Sequence, residues 1–223
     1  MGVSGLREKD DNLGEADLGP RQSSGQPDPG TINGLPAGIA SKGPATLPLK
    51  DLHERHPGLT EAIAKNYAEA AAVCLDRHHK PPVVFDIQDQ VRNQEVNVAW
   101  KITDSRTRGA WANSTDATEA GAYACAIAAT ELARGLVAIC RAETLTGADY
   151  YVGLPGQNQD DLEKCLRLEI SGTDSMVQAD VKSRLRVKLK QAAAGRSNLP
   201  ALAAVVGFRC RVISLSDLDL ESE

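Results

Sequence analysis

Two carboxylates stand out in the stretch GADYYVGLPGQNQDDLEKCLRLEISG, residues 147–172, because each belongs to a short apolar strand. Asp149 begins the first predicted strand, and Glu169 lies near the end of the second. If the two strands pair as a hairpin, both carboxylates converge at one end of a sheet. Oxygen ligands on rigid strands suit a hard divalent cation such as Mg²⁺ or Mn²⁺. A cation held there can bind a phosphate oxygen, activate water and stabilise the charge that develops during phosphodiester cleavage.

Both carboxylates also have structural alternatives. Asp149 follows Gly147 and could cap a turn, because aspartate is common in loops of this kind. Glu169 lies inside LRLEISG and needs a partner, since burying an unpaired charge is costly. A salt bridge to Arg167 or to an arginine of a following helix would satisfy it without any metal.

A strongly basic helix is predicted directly after the Glu169 strand, over residues 178–195. Its apolar stripe, at helical spacing, consists of Val181, Leu185, Leu189 and Ala192. Arg184, Lys188 and Gln191 run beside that stripe. A position next to the carboxylates favours contact with phosphates, the main source of nucleic-acid affinity, although a solvated helix face is the alternative. The predicted nucleic-acid-binding residues are Lys182, Arg184, Arg186, Lys190 and Arg196.

The elements that position these residues alternate from residue 114 onward. A helix over 114–135 is rich in alanine, is capped by Ser114 or Thr115 and is ended by Gly135. Short strands follow, then the basic helix and a last strand; the predicted strands cover 136–142, 148–153, 165–171 and 203–213. This α-β-β-β-α-β order predicts an α/β fold with a mixed sheet and helices packed on it.

This order, with Asp149 on one strand and Glu169 on the next, resembles the PD-(D/E)XK nuclease superfamily. The likeness covers residues 114–213 and is greatest to its Holliday-junction-resolvase and restriction-endonuclease branches. It implies a mixed central sheet flanked by helices, with a restriction-endonuclease-like αβββαβ core. It also implies that Asp149, Glu169 and the Ile170 carbonyl hold Mg²⁺ or Mn²⁺, assisted by Glu119 from the first helix. Alternatively, Glu119 is only an acid favoured by the helix dipole.

The chain departs from this superfamily at Ser171, where the motif has a lysine that polarises the attacking water. A serine hydroxyl carries no positive charge. Some members of the superfamily move the lysine to the following helix, which makes Lys188 the candidate here, with Lys190 behind it. A glutamine also recurs on that helix, so Gln191 is a candidate for orienting the reactants. Ser171 could instead mean that catalysis is weak or lost.

The remaining segments are assigned by composition. Residues 1–48 are rich in Gly, Pro, Ser and Asp, and we expect a disordered tail. Residues 49–113 contain a helix over 59–79, capped by Thr60, and a hairpin of strands 83–87 and 95–102. We expect both to pack on the nuclease-like core, 114–214, and we expect an acidic tail over 215–223.

The composition limits the class of protein. The chain has 223 residues and a net charge of −5, and no apolar run approaches membrane-spanning length. Its five cysteines are widely spaced, which fits a reducing cytoplasm. The lack of a long apolar run predicts no membrane partner. We expect a cytoplasmic, metal-dependent DNA endonuclease acting in repair, restriction or defence, either as a homodimer or as a subunit of a larger complex. The first alternative is an inactive nuclease-fold subunit that binds nucleic acid or a protein as a scaffold. The second is an unrelated α/β binding domain with structural carboxylates.

Overall fold

An eight-stranded mixed sheet runs through residues 43–218, the part of the chain that the computed structural model describes. Its strands are β1 (Ala45–Thr46), β2 (Val83–Asp89), β3 (Gln94–Val98), β4 (Val137–Arg141), β5 (Tyr150–Gly153), β6 (Leu166–Thr173), β7 (Ala201–Gly207) and β8 (Val212–Asp217). Their order in the sheet is β1-β3-β2-β8-β7-β6-β5-β4. Three pairs are parallel, namely β1 with β3, β2 with β8 and β6 with β7, and the others are antiparallel. The predicted α/β class with a mixed sheet flanked by helices is confirmed.

Helices cover both faces of this sheet. The helices are α1 (Leu52–Arg55), α2 (Glu61–Asp76), α3 (Ser105–Ala110), α4 (Ser114–Arg134) and α5 (Gln178–Ala193). The central helix α4 packs on one face and is covered in turn by α2, while α5 packs on the opposite face. None of the helices in residues 43–218 combines the length and the apolar character needed to span a bilayer.

The alternation along β6 decides what each face holds. Leu168 and Ile170 belong to the large core beneath α4, whereas Glu169 points to α5. At Gly172 an added Cβ would lie 2.5 Å from a backbone oxygen of α4, and at Gly121 it would lie 2.8 Å from the backbone of α2. The alanine-rich sequence of α4 therefore permits close approach of both neighbours, because small side chains allow backbones to pack tightly.

The ends of the long helices agree with the sequence at three of four positions. Thr60 caps α2, where its side chain accepts a hydrogen bond from the Ile63 N–H, and Gly135 ends α4 in the left-handed conformation, φ 67°. The cap of α4 is Asn113, so the prediction of Ser114 or Thr115 is wrong. Asn113 still has an extended backbone, and its Oδ1 accepts from the Thr115 and Asp116 N–H groups. The basic helix α5 begins at Gln178 as predicted.

The C-terminal strand prediction is wrong in one respect. The run predicted as a single strand over 203–213 forms two strands, β7 and β8, joined by a turn at residues 208–211. Arg211 adopts the left-handed backbone region at this turn, with φ 59°, a conformation for which the sequence gives no glycine signal. Residues 215–217, predicted to begin an acidic tail, complete β8.

The N-terminal boundary also differs from the prediction. Residues 45–46, expected within a disordered tail, form β1 and pair with β3, and the neighbouring Leu47 is buried. The rest of the two predicted tails, residues 1–42 and 219–223, lies outside the described residues. The predicted hairpin is present as β2 and β3, although β3 ends at Val98 rather than at residue 102.

A buried histidine connects α1 to the core. His56 is fully buried, its Nδ1 accepts from the Ala138 N–H at 3.0 Å, and its Nε2 lies 3.1 Å from Glu131 of α4. Burial lowers the pKa of His56 below its ordinary value of 6.5, while Glu131 opposes this effect. Because Nδ1 is an acceptor here, the histidine is neutral in the folded protein.

Acid is therefore expected to destabilise the fold through His56. The native state binds fewer protons than the unfolded state between the lowered pKa and 6.5, so stability is full above that value and falls as the pH drops below it. Urea unfolding of wild type and His56→Asn across this range checks the effect. The control variant His53→Gln, on the same helix, should lose stability below pH 6.5 as wild type does. Equal pH slopes for wild type and His56→Asn would contradict the assignment.

Candidate active site

Asp149 is anchored at the start of β5 by groups from two directions. Its backbone N–H donates to the Leu168 carbonyl at 2.8 Å. Its Oδ2 accepts from the Ile170 N–H at 2.8 Å, and its Oδ1 accepts from the Tyr123 hydroxyl at 2.6 Å. A carboxylate oxygen has further lone pairs, so Asp149 is oriented by these bonds and can still accept another ligand.

Glu169 is paired with the lysine that the sequence singled out. Lys188 reaches from α5 and places its Nζ 2.8 Å from Glu169 Oε1, and the Glu169 side chain is only 12% exposed. The alternative partner, Arg167, instead donates to the backbone carbonyls of Thr146, Ala192 and Leu199. The structure thus brings together Glu169 and Lys188, two of the predicted site residues, and the partner of Glu169 is a lysine rather than an arginine.

The hydrogen bonds of Asp149 to the Leu168 carbonyl and to the Ile170 N–H place it beside Glu169. Burial raises the pKa of Glu169 above its ordinary value, the Lys188 ammonium opposes the rise, and the Asp149 carboxylate adds to it by repulsion and hydrogen bonding. Two like charges affect each other in this way when they are within a few ångströms, about 4–6 Å. Such a pair favours a shared cation.

A consequence of this raised pKa can be tested through stability. The native state holds the Glu169 proton more tightly than the unfolded state, so folding stability falls as the pH rises from 4.5 through the raised pKa. We expect the difference in melting temperature between Glu169→Gln and wild type to shift in favour of the variant over this range.

Thermal unfolding at a series of pH values measures this shift, with Glu163→Gln as the control, because Glu163 lies in an exposed loop. A difference that moves in favour of wild type as the pH rises would show that Lys188, and not burial, dominates the environment of Glu169.

An aromatic cluster with one arginine borders Asp149. The Arg141 guanidinium lies 3.4 Å from Asp149 Oδ1 and sits over the rings of Tyr123 and Tyr150, at 4.8 and 4.9 Å from their centroids. Tyr67 of α2 stacks on Tyr123 at 4.8 Å. This cluster was not predicted from the sequence. Part of it could have been found from the hairpin register, because pairing of the predicted strands 136–142 and 148–153 places Arg141 opposite Tyr150.

A cleft of about 640 Å³ opens between α4, β6 and α5, beside the carboxylates. It gathers most of the other residues predicted for the site. Glu119 from α4, Ile170 from β6 and Ser171 line it together with Arg184, Lys188 and Gln191 from α5. Asp149 and Glu169 do not line this cleft, and Lys188 connects its wall to Glu169.

The predicted nucleic-acid-binding residues are divided between the two flanks of α5. Arg184 lies with Lys188 in the cleft, whereas Lys182 and Arg186 line a second groove on the other flank. Lys190 and Arg196 are exposed and line neither space. The five cations therefore do not form one continuous face.

The oxygen ligands present fit a hard cation that keeps several waters. Within residues 43–218 no cluster of three or more His, Cys, Asp or Glu side chains is arranged to hold a metal. The pair Asp149 and Glu169 would thus need further oxygen ligands, which the Ile170 carbonyl and water can supply. Mg²⁺ is commonly held by one or two carboxylates with water completing the shell, so the donor set is adequate for it.

Comparison with other proteins found no relative of this chain. No family model, no curated protein and no solved structure matches this chain. The function is therefore argued from the arrangement of Asp149, Glu169 and Lys188 beside the cleft.

Proposed function

We propose that this protein hydrolyses phosphodiester bonds of DNA with the help of Mg²⁺ or Mn²⁺. One observation carries the proposal, the contact of Lys188 with Glu169 at 2.8 Å beside the neighbouring Asp149 carboxylate. Two adjacent carboxylates can hold a divalent cation, and an ammonium group beside them can stabilise the charge that develops on a phosphodiester during attack by water. The site is also bordered by an open cleft with further cations, which suits a polyanionic substrate.

The residues divide the work as follows. Asp149, Glu169 and the Ile170 carbonyl would hold the cation, which would supply polarisation of the phosphate and a lower pKa for a water molecule. Lys188 donates from its ammonium group to the attacking water and stabilises negative charge at the phosphate. Glu119 and Gln191 orient groups within the cleft, and Arg184 contacts a phosphate oxygen there. Tyr123 and the Ile170 N–H keep the Asp149 carboxylate in one orientation.

The chain order supports the likeness to the PD-(D/E)XK superfamily. Strands β4, β5 and β6 form an antiparallel meander, α5 follows, and β7 returns parallel to β6. Lys188 would take the role of the lysine that is missing at Ser171, a proposal supported by the cleft that both residues line. We propose a cytoplasmic nuclease of this type with DNA as its partner.

The decisive experiment is cleavage of linear, circular and branched DNA in the presence of Mg²⁺ or Mn²⁺. Wild type is compared with Asp149→Ala and Glu169→Ala, with EDTA as the control for metal dependence. Cleavage that requires the metal and is lost in both variants supports the proposal. Cleavage that persists in both variants refutes the assigned site.

A second candidate function is an inactive nuclease-fold subunit that binds DNA or a protein as a scaffold. It is favoured by the two cations that already face the carboxylates, Lys188 at Glu169 and Arg141 at Asp149, and by Ser171 in the motif position. A folded wild-type protein that binds DNA in both metals but never cuts it would establish this alternative. A protein that neither cuts nor binds DNA would direct the search to a protein partner.

A further inference from the structure

A second groove lies on the flank of α5 that faces away from the candidate active site. It has a volume of about 540 Å³ and runs between α5 and strands β2 and β8. Its polar lining includes Gln88, Asn93, Lys182, Arg186, Ser214 and Ser216. Nothing in the proposed hydrolysis uses these residues.

Ser214 forms part of the floor of this groove. Its register places it between Val205 of β7 and Gln88 of β2, on the α5 face of the sheet, where the apolar floor beneath α5 gives way to polar side chains. The residue is only 3% exposed, and its hydroxyl has no hydrogen-bond partner among the described residues. Because this hydroxyl is enclosed by protein, the polar groups that a ligand in the groove can reach are exposed side chains of its lining, Lys182, Arg186 and Asn93.

The charge of the groove selects an anion. Lys182 and Arg186 make no salt bridge within residues 43–218. The one carboxylate that the structure shows in the lining, Asp89, is paired at 2.5 Å with Arg134, which also binds Asp217. Two cations thus remain without compensation next to the unpartnered hydroxyl.

The amide side chains of the lining add donors rather than acceptors. Asn93 Oδ1 accepts from the Asp89 N–H, and Gln90 Oε1 accepts from the Asp217 N–H. Their NH₂ groups are what remains to bind a ligand. A group with several acceptor oxygens and negative charge, such as a phosphate, matches ammonium, guanidinium and amide donors together.

We propose that this groove binds a backbone phosphate of the second strand of duplex DNA, and this rests on the function proposed above. An α-helix with its side chains is about 10–12 Å across, and the major groove of B-form DNA is about 12 Å wide. Helix α5 fits that groove with Arg184 and Lys188 toward one strand and Lys182 and Arg186 toward the other. The major groove of A-form RNA is too deep and narrow to accept it, so the arrangement selects duplex DNA.

The test is the salt dependence of duplex binding in the full chain. The variant Lys182→Gln with Arg186→Gln removes two phosphate contacts, so the slope of log affinity against log salt should decrease by about 2. Affinity for single-stranded DNA should change little, and duplex RNA should bind more weakly than duplex DNA. The matched control, Lys101→Gln with Lys164→Gln, removes two exposed charges elsewhere and should leave the duplex slope unchanged.

The outcomes separate this inference from the proposed hydrolysis. In one outcome, wild type cuts DNA, but Lys182→Gln with Arg186→Gln does not change the salt dependence of duplex binding. The proposed phosphate contact in the groove is then wrong, and the proposed nuclease activity stands. If duplex DNA is bound with the expected change in salt dependence but is not cut, the phosphate contact in the groove is supported and the proposed hydrolysis is wrong. Absence of duplex binding by wild type, or equal losses for duplex and single-stranded DNA, overturns the groove. Melting temperatures equal to that of wild type show that the variants are folded.

Discussion

Glu169→Gln is expected to lower metal-dependent DNA cleavage by on the order of a thousandfold, because a neutral amide binds a divalent cation poorly and several kcal/mol of stabilisation are lost. The substitution keeps the size of the side chain and can still accept a hydrogen bond from Lys188, so the fold should be retained. Asp149→Asn should cause a loss of similar size. Single-turnover cleavage rates in excess Mg²⁺ and in excess Mn²⁺ measure both effects.

The control for this result is Glu163→Gln, which removes an exposed carboxylate six residues before Glu169 and should cleave at the wild-type rate. DNA affinity provides a second comparison, since Glu169→Gln should bind the substrate at least as well as wild type while failing to cut it. If Glu169→Gln and Glu163→Gln cleave equally, the carboxylate pair is structural and the proposed mechanism is wrong.

Lys188→Met should also abolish most cleavage, by about a hundredfold to a thousandfold, the size of the loss when one preorganised charge-stabilising donor is removed. The long apolar side chain preserves the packing of the lysine stem. The loss should fall on the catalytic rate rather than on substrate affinity, because Lys188 is assigned to the water and to the charge developing on the phosphate.

The position of Ser171 allows a stricter test of the same role. Ser171 lies two residues after Glu169 on the same face of β6 and lines the cleft with Lys188. We therefore expect Ser171→Lys to restore part of the activity of Lys188→Met, since the ammonium group returns to the motif position. The matched control is Thr173→Lys in the Lys188→Met background. Thr173 lies two residues further along β6, and a lysine there should not restore the activity. Recovery with Thr173→Lys alone would contradict the geometry.

The part of the site that follows from periodicity could be predicted from the sequence. Strand alternation fixes the face of Glu169, and helical spacing places Lys188 and Gln191 beside the apolar stripe of α5. Once β6 and α5 are recognised, their contact needs only the packing of α5 on the sheet. The structure accordingly brings Glu169 and Lys188 together.

The rest could not be predicted because it depends on tertiary packing. The stacking of Tyr67 on Tyr123 joins two helices that no local pattern relates. The turn before β8 has an arginine where a glycine would have marked it. β8 itself was hidden because its sequence, VISLSD, ends in acidic and polar residues that resemble a solvated tail. Those residues have partners: Asp217 is bound by Arg134 of α4 at 3.0 Å.

The place of β8 in the sheet sets an order of events during synthesis. Strands β1, β3 and β2 form one side of the sheet. They join strands β4 to β7 only through β8, the last strand of residues 43–218 to be made. One edge of the β2–β3 hairpin thus has no strand partner until translation passes residue 217. Contacts between segments so distant along the chain slow folding, and an exposed strand edge in a nascent chain invites aggregation. Pairing of β8 with β2 and β7 therefore completes the sheet.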